Sequence, residues 1–164
     1  VDASILGHVL INGTVITLAV SVIILASLVY NARLWLQDYP KAIREAVPPL
    51  TPTEKQQRAV VAVLFMGVLF GGLLLTAIQL RERALSFGEA YLLFFLMLFL
   101  FNLFDAVVID LLILTGLKPK FVILPGAEGM EYLFNDYRKH VGDFLKGIVF
   151  CVVASLPFAA LAAV

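Results

Sequence analysis

Four apolar stretches run through this chain, at about residues 5–30, 60–80, 87–116 and 141–164, and the charged residues crowd into the intervals between them. Each stretch meets the ~20 mainly apolar residues that a helix needs to cross a hydrocarbon core. The pattern predicts an all-α, polytopic integral membrane protein: one domain, 1–164, built as a four-transmembrane-helix bundle. Its connections, 31–59 and 117–140, are too short for a soluble core of their own. The first stretch lacks a basic leader and is followed, not preceded, by basic residues, so it reads as a retained helix and not as a signal peptide.

Local chemistry refines the boundaries. Thr51-Pro52-Thr53-Glu54 is a capping box with proline at the first helical position, so the second helix is expected to start ahead of its apolar run. Ser86-Phe87-Gly88-Glu89 is a second capping box. The short interval between Leu80 and Ser86 predicts a tight turn and an antiparallel hairpin of helices two and three. Gly116 and Pro119 supply a stop for helix three. Tyr30, Trp35 and Tyr39 follow helix one as an interfacial aromatic belt would, and residues 40–46 can form a short surface helix ahead of Pro48-Pro49.

Charge sets the expected sidedness. Arg33, Lys41, Arg44, Lys55 and Arg58 flank the first connection, and Lys118, Lys120, Arg138, Lys139 and Lys146 flank the third; only Arg81 and Arg83 lie in the second. With four crossings the first and third connections share a side. Positive-inside bias therefore puts both in the cytoplasm and both termini outside, in a multi-pass protein of the cell membrane. Composition agrees: 62% of residues are apolar and 15% charged, a membrane-class balance. The formal net charge is +0, which gives nucleic acid no electrostatic footing. The expected surroundings are membrane lipids, with further copies of the chain or other membrane subunits as partners.

Against this background the polar residues inside the apolar stretches stand out. Asn102, Asp105 and Asp110 interrupt the third. A carboxylate at such depth costs about 2.5–3.5 kcal/mol on insertion scales, which makes it a functional candidate. In an α-helix Asn102 and Asp105 share a face, while Asp105 and Asp110 stand about 140° apart and need not meet one partner. Asp105 is expected to be protonated or heavily hydrogen-bonded. His140, Asp143 and Lys146 recur every third residue at the start of helix four, at a depth suited to pairing with Asp110. Thr17 and Ser21 match the depth of Asp105, as do Cys151 and Ser155 less closely. His8, Asn12 and Gln79 extend the polar series outward. Set beside this is the plain reading that polar groups in helices act as interhelical glue, about 0.6 kcal/mol each.

Two further features matter. The 117–140 connection carries an apolar run, Phe121-Val122-Ile123-Leu124, then Gly126 and Gly129 as turn residues, and is expected either to dip into the membrane interface or to cap the cytoplasmic mouth of the bundle. Gly67, Gly71 and Gly72 form a small-residue pattern that permits close helix packing, within the bundle or between protomers.

Several activities are excluded. One cysteine, Cys151, cannot form an internal disulfide or a CxxC pair. His8 and His140 are expected on opposite sides of the membrane, so they cannot ligate one haem. No HExxH, GxSxG or GxxxxGK[ST] pattern occurs. No metal or cofactor is expected. Three functions stay open: proton- or cation-linked transport by an oligomer using the Asp/Asn site, an accessory or assembly subunit of a larger membrane complex, and an interfacial lipid-modifying enzyme. The balance leans away from an enzyme.

Overall fold

The computed structural model describes residues 3–163 and is all-helical in its regular structure, with no named strand among the described residues. Helix α1 (Ala3–His8), a π-helical turn (Val9–Gly13) and α2 (Thr14–Asn31) form one continuous first rod. A 3-10 segment (Ala32–Asp38) and the short α3 (Lys41–Ala46) lead to α4 (Pro52–Leu80). After a 3-10 turn (Arg81–Arg83), α5 (Phe87–Phe104) continues directly into a second π-helix, Asp105–Leu117. Short 3-10 turns at Lys120–Val122 and Glu131–Asn135 precede α6 (Tyr137–Ala162). Four of these rods are long and apolar enough to span a membrane: Leu6–Asp38, Pro52–Arg83, Phe87–Leu117 and Tyr137–Ala162.

The helix starts follow their caps. Thr51 accepts from the Glu54 N–H while the Glu54 carboxylate accepts from the Thr51 N–H at 2.7 Å, and Ser86 with Glu89 repeats the exchange. Each reciprocal pair satisfies two backbone donors that a helix start would leave open. The Thr51 box places the start of α4 at Pro52, well ahead of its apolar run. Arg33 then ties the first connection down: its Nε meets Glu54 at 2.6 Å and its Nη2 donates to the carbonyls of Pro48 and Pro49.

The expected hairpin of α4 and α5 takes an unexpected form. The chain does turn tightly, with Ala84 left-handed at φ 48°, but the main neighbours of the first rod are α4 and α5, and those of α6 are α5 and α4. Helices α4 and α5 therefore lie across the diagonal of the bundle and touch through rings, Phe65 against Phe101 at 5.8 Å. Side-chain fit decides this arrangement. Gly72 of α4 lets Ile16 of the first rod sit where a Cβ would be only 2.7 Å away. Phe158 of α6 stacks on Phe70 of α4 at 5.9 Å and leans on Phe94 of α5. Val20, Leu73, Leu93, Phe94 and Ala159 are fully buried where the rods meet. The outward faces carry Val15, Val22, Val63, Leu75, Ile78, Val149 and Val153, all more than half exposed, a surface matched to hydrocarbon and not to water.

The 118–136 segment folds back over one end of the bundle. Val122, Leu124 and Ala127 are buried, and the Tyr39 hydroxyl donates to the Val122 carbonyl at 2.8 Å. Gly126 and Gly129 turn the chain with φ of 90° and 85°, values that L side chains resist. Glu128 and Glu131 accept from the N–H groups of these glycines. Backbone N–H groups, its own and that of Gly129, hold the Glu131 carboxyl below its ordinary range.

Candidate functional site

Under this cap lies a chamber of about 700 Å³. Its deep wall is made by Ile24 and Leu28 of α2 and by Asp105, Ile109, Asp110 and Leu114 of the second π-helix. The first connection contributes Trp35, Asp38, Tyr39, Lys41 and Arg44, the cap contributes Leu133 and Phe134, and the start of α6 contributes Lys139, His140, Asp143 and Lys146.

The π-helix is what assembles it. Read as an α-helix, the third rod points Asp105 and Asp110 about 140° apart. From Asp105 onward the backbone winds with i→i+5 hydrogen bonds. Residues five apart then fall almost one above the other, and both carboxyls face the chamber. The two aspartates thus line one chamber without meeting one partner, since His140 stands beside Asp110 alone. π-Helical windings are rare, usually single turns, and are often found at functional sites; this one runs for 13 residues.

Asn102 stands apart from the two aspartates. It does not line the chamber: its Nδ2 donates to the Phe144 carbonyl at 3.2 Å, and its amide lies where a Cβ on Gly147 would be. Asn102 is a packing group between α5 and α6. The α-helical face it was expected to share with Asp105 ends where the winding changes.

At the start of α6 the three spaced polar residues divide into two units. His140 Nδ1 lies 3.6 Å from Asp110 Oδ2. Its Nε2 meets the Phe134 carbonyl at 2.9 Å and Thr115 Oγ1 at 3.0 Å. Asp143 instead bridges two lysines, Lys139 at 2.7 Å and Lys146 at 2.9 Å. Lys146 therefore pairs with Asp143, leaving His140 as the neighbour of Asp110. Asp105 has neither hydrogen bond nor ion pair among the described residues.

The other polar residues serve the bundle elsewhere. Asn12 donates to Thr76 at 3.2 Å, while Gln79 is exposed, so these two do not form the expected outward track together. His8 is half-buried near the start of the first rod. Thr17 and Ser21 are buried with hydroxyls that make no hydrogen bond. With Ile16 and Val20 they fill the buried face of α2 between Asn12 and the chamber. Ser155 bonds the Cys151 carbonyl one turn back in its own helix. Of the three glycines, Gly72 is a close approach inside the bundle, whereas nothing lies within 4 Å of a Cβ built on Gly67 or Gly71.

Asp38, Thr115 and Phe134 were not legible as site residues. A carboxylate between Trp35 and Tyr39 was the available signal for Asp38. Phe134 acts through its backbone carbonyl and Thr115 through a hydroxyl that the fold brings to His140, placements for which a sequence carries no mark. The Tyr39 hydroxyl is held above its ordinary range by burial, with Asp38 adding to it, and stays a neutral donor.

Chemically, the chamber offers a free carboxyl at Asp105, a carboxyl–imidazole pair at Asp110 and His140, and a mouth where lysines neutralise Asp143. No three His, Cys, Asp or Glu side chains among the described residues converge closely enough to share a metal ion. No protein-family model matches the chain, and no curated protein or solved structure shows significant similarity to it.

Proposed function

We propose that this is a small multi-pass membrane protein whose chamber takes up a proton or a small cation at Asp105 and Asp110, as the binding step of proton- or cation-linked transport. The observation that carries this reading is the π-helical placement of both carboxyls on one chamber wall, with His140 beside the outer of the two. Carboxyls inside helical bundles that face a cavity mark proton and ion pathways. On the positive-inside argument the chamber opens to the cytoplasm and both termini lie outside. The packed α2 face between Asn12 and Ile24 means that passage to the other side requires a rearrangement or a second copy of the chain.

The test is reconstitution of the purified protein in vesicles with an entrapped pH indicator and an imposed potential. Asp105→Asn and Asp110→Asn each remove one carboxyl and are expected to abolish flux while the protein stays folded. Flux that is unchanged in both variants, or absent from the wild type, sinks the reading.

A second reading draws on Gly67 and Gly71. They sit on a face of α4 with open space before them, and such small residues let a neighbouring helix approach closely. Under this reading the protein is an accessory subunit of a larger membrane complex. Native mass spectrometry after gentle extraction separates the two: co-purifying polypeptides support the subunit reading, and a homo-oligomer supports an autonomous site.

A further inference from the structure

The groups around His140 specify more than proximity to Asp110. Two oxygens converge on Nε2. The Phe134 carbonyl, at 2.9 Å, can only accept. Thr115 Oγ1, at 3.0 Å, directs its own hydroxyl hydrogen to that same carbonyl at 3.1 Å, so it turns a lone pair toward the ring. Only an N–H at Nε2 satisfies both. A neutral imidazole carries one proton, and its other nitrogen is then a bare acceptor. That nitrogen, Nδ1, is buried without a hydrogen-bond partner and faces the Asp110 carboxyl across 3.6 Å.

We propose that Thr115 and the Phe134 carbonyl are positioning groups that lock His140 in its Nε2–H form, so that Nδ1 and Asp110 hold one proton between them. This rests on the proton-handling reading and names the pair that does the handling. With the proton on nitrogen, an imidazolium faces a carboxylate; with it on oxygen, a carboxylic acid faces an acceptor. Nε2–H is kept in both. With no proton, two sets of lone pairs confront each other across the gap. The pair thus gains and loses its proton as a unit and not as two separate sites.

The remaining charges around the pair come from every element that packs on it. The π-helix supplies Asp105, the first connection supplies Asp38, Lys41 and Arg44, and α6 with its cap supplies Asp136, Lys139, Asp143 and Lys146. Lys139 and Lys146 are directed to Asp143, which leaves Asp110 with His140 as its ion-pair partner among the described residues. Phe134 belongs to the cap and Thr115 to the π-helix, so the two oxygens on Nε2 come from different elements.

Nitrogen-15 NMR of the protein in lipid nanodiscs tests this directly, because the chain has two histidines and His8→Gln removes the other signal. The expected wild-type spectrum has a proton on Nε2 of His140 throughout the titration. Thr115→Val leaves the Phe134 carbonyl as the remaining acceptor on Nε2, so it is expected to keep the Nε2–H form while shifting the Nε2 resonance and the pH midpoint for vesicle proton uptake. Thr115→Ser, which keeps the hydroxyl, should restore both. A wild-type His140 with its proton on Nδ1 and a bare Nε2 would overturn the proposal, as would a Thr115→Val spectrum identical to wild type. If Thr115→Val does not fold, the wild-type spectrum still decides the tautomer, and Asp110→Asn decides the pairing by whether the Nδ1 resonance moves. The tautomer is read without any flux. An Nε2–H histidine in vesicles that move no protons would therefore refute the transport reading and leave the lock standing.

Discussion

Placing a methyl group on Gly147 tests the division of labour along the third rod. A Cβ at this position lies 2.6 Å from Cγ of Asn102 and within bonding range of its amide oxygen, distances at which something must move. The backbone of α6 cannot retreat easily, since Cys151, Ser155 and Ala159 hold its buried face against the bundle. Asn102 must rotate away instead and give up its 3.2 Å bond to the Phe144 carbonyl. Interhelical bonds of this kind average about 0.6 kcal/mol and reach about 1.7. Overpacking adds about 1–3 kcal/mol. Gly147→Ala is thus expected to cost about 2–5 kcal/mol by these figures together. Asn102→Ala alone should cost about 0.6 kcal/mol, and the double variant should recover most of the loss, because an alanine fits opposite an alanine. The coupling of about 1–3 kcal/mol is the quantity to measure. The assay is thermal unfolding in detergent followed by a thiol-reactive fluorophore. Cys151 is the chain's one cysteine and is 1% exposed, so it reacts only when the bundle opens. If Gly147→Ala is neutral, or if Asn102→Ala fails to rescue it, Asn102 is not a packing group. Its separation from the chamber aspartates would then be wrong.

Other perturbations follow from the same contacts. Tyr39→Phe strands the buried carbonyl of Val122 and should cost about 1–3 kcal/mol in the same melt. Burial and Asp38 raise the Tyr39 hydroxyl above its ordinary range. The unfolded chain therefore ionises first, so this group's stabilisation is present below about pH 10 and is lost as pH rises beyond it. A stability profile of wild type that falls no more steeply there than that of Tyr39→Phe would contradict this. Gly72→Ala must displace the Ile16 side chain and should cost about 1–3 kcal/mol, with Ile16→Ala as its suppressor in unfolding measurements. Arg33→Ala frees Glu54 and the carbonyls of Pro48 and Pro49, and limited proteolysis within 38–51 should accelerate. An unchanged cleavage rate would show that this connection is held by other contacts.

Much of this protein is written along its chain. Four apolar runs of the necessary length, the capping boxes at Thr51 and Ser86 and the turn after Leu80 are local properties, and each appears in the structure where the sequence places it. So does the short helix at Lys41–Ala46. The reason is physical: apolar length, orphan backbone donors and turn chemistry are all settled within a few residues. The pairing of His140 with Asp110 was also within reach, because helix rise alone brings them to one depth.

What tertiary structure decided was orientation. Nothing in the run Asp105 to Leu117 announces i→i+5 winding, yet that winding turns Asp105 and Asp110 to one wall and leaves Asn102 outside the chamber, against α6. Which helices become neighbours was likewise settled by the fit of Ile16 over Gly72 and of Phe158 between Phe70 and Phe94, contacts between residues far apart in sequence. Thr115 and Phe134 entered the site for the same reason. Their roles depend on a carbonyl and a hydroxyl arriving at one ring nitrogen, which only the folded cap can bring about. Sequence periodicity carries length and local chemistry, whereas the direction of a buried polar group depends on helix winding and packing, and those are set by the whole bundle.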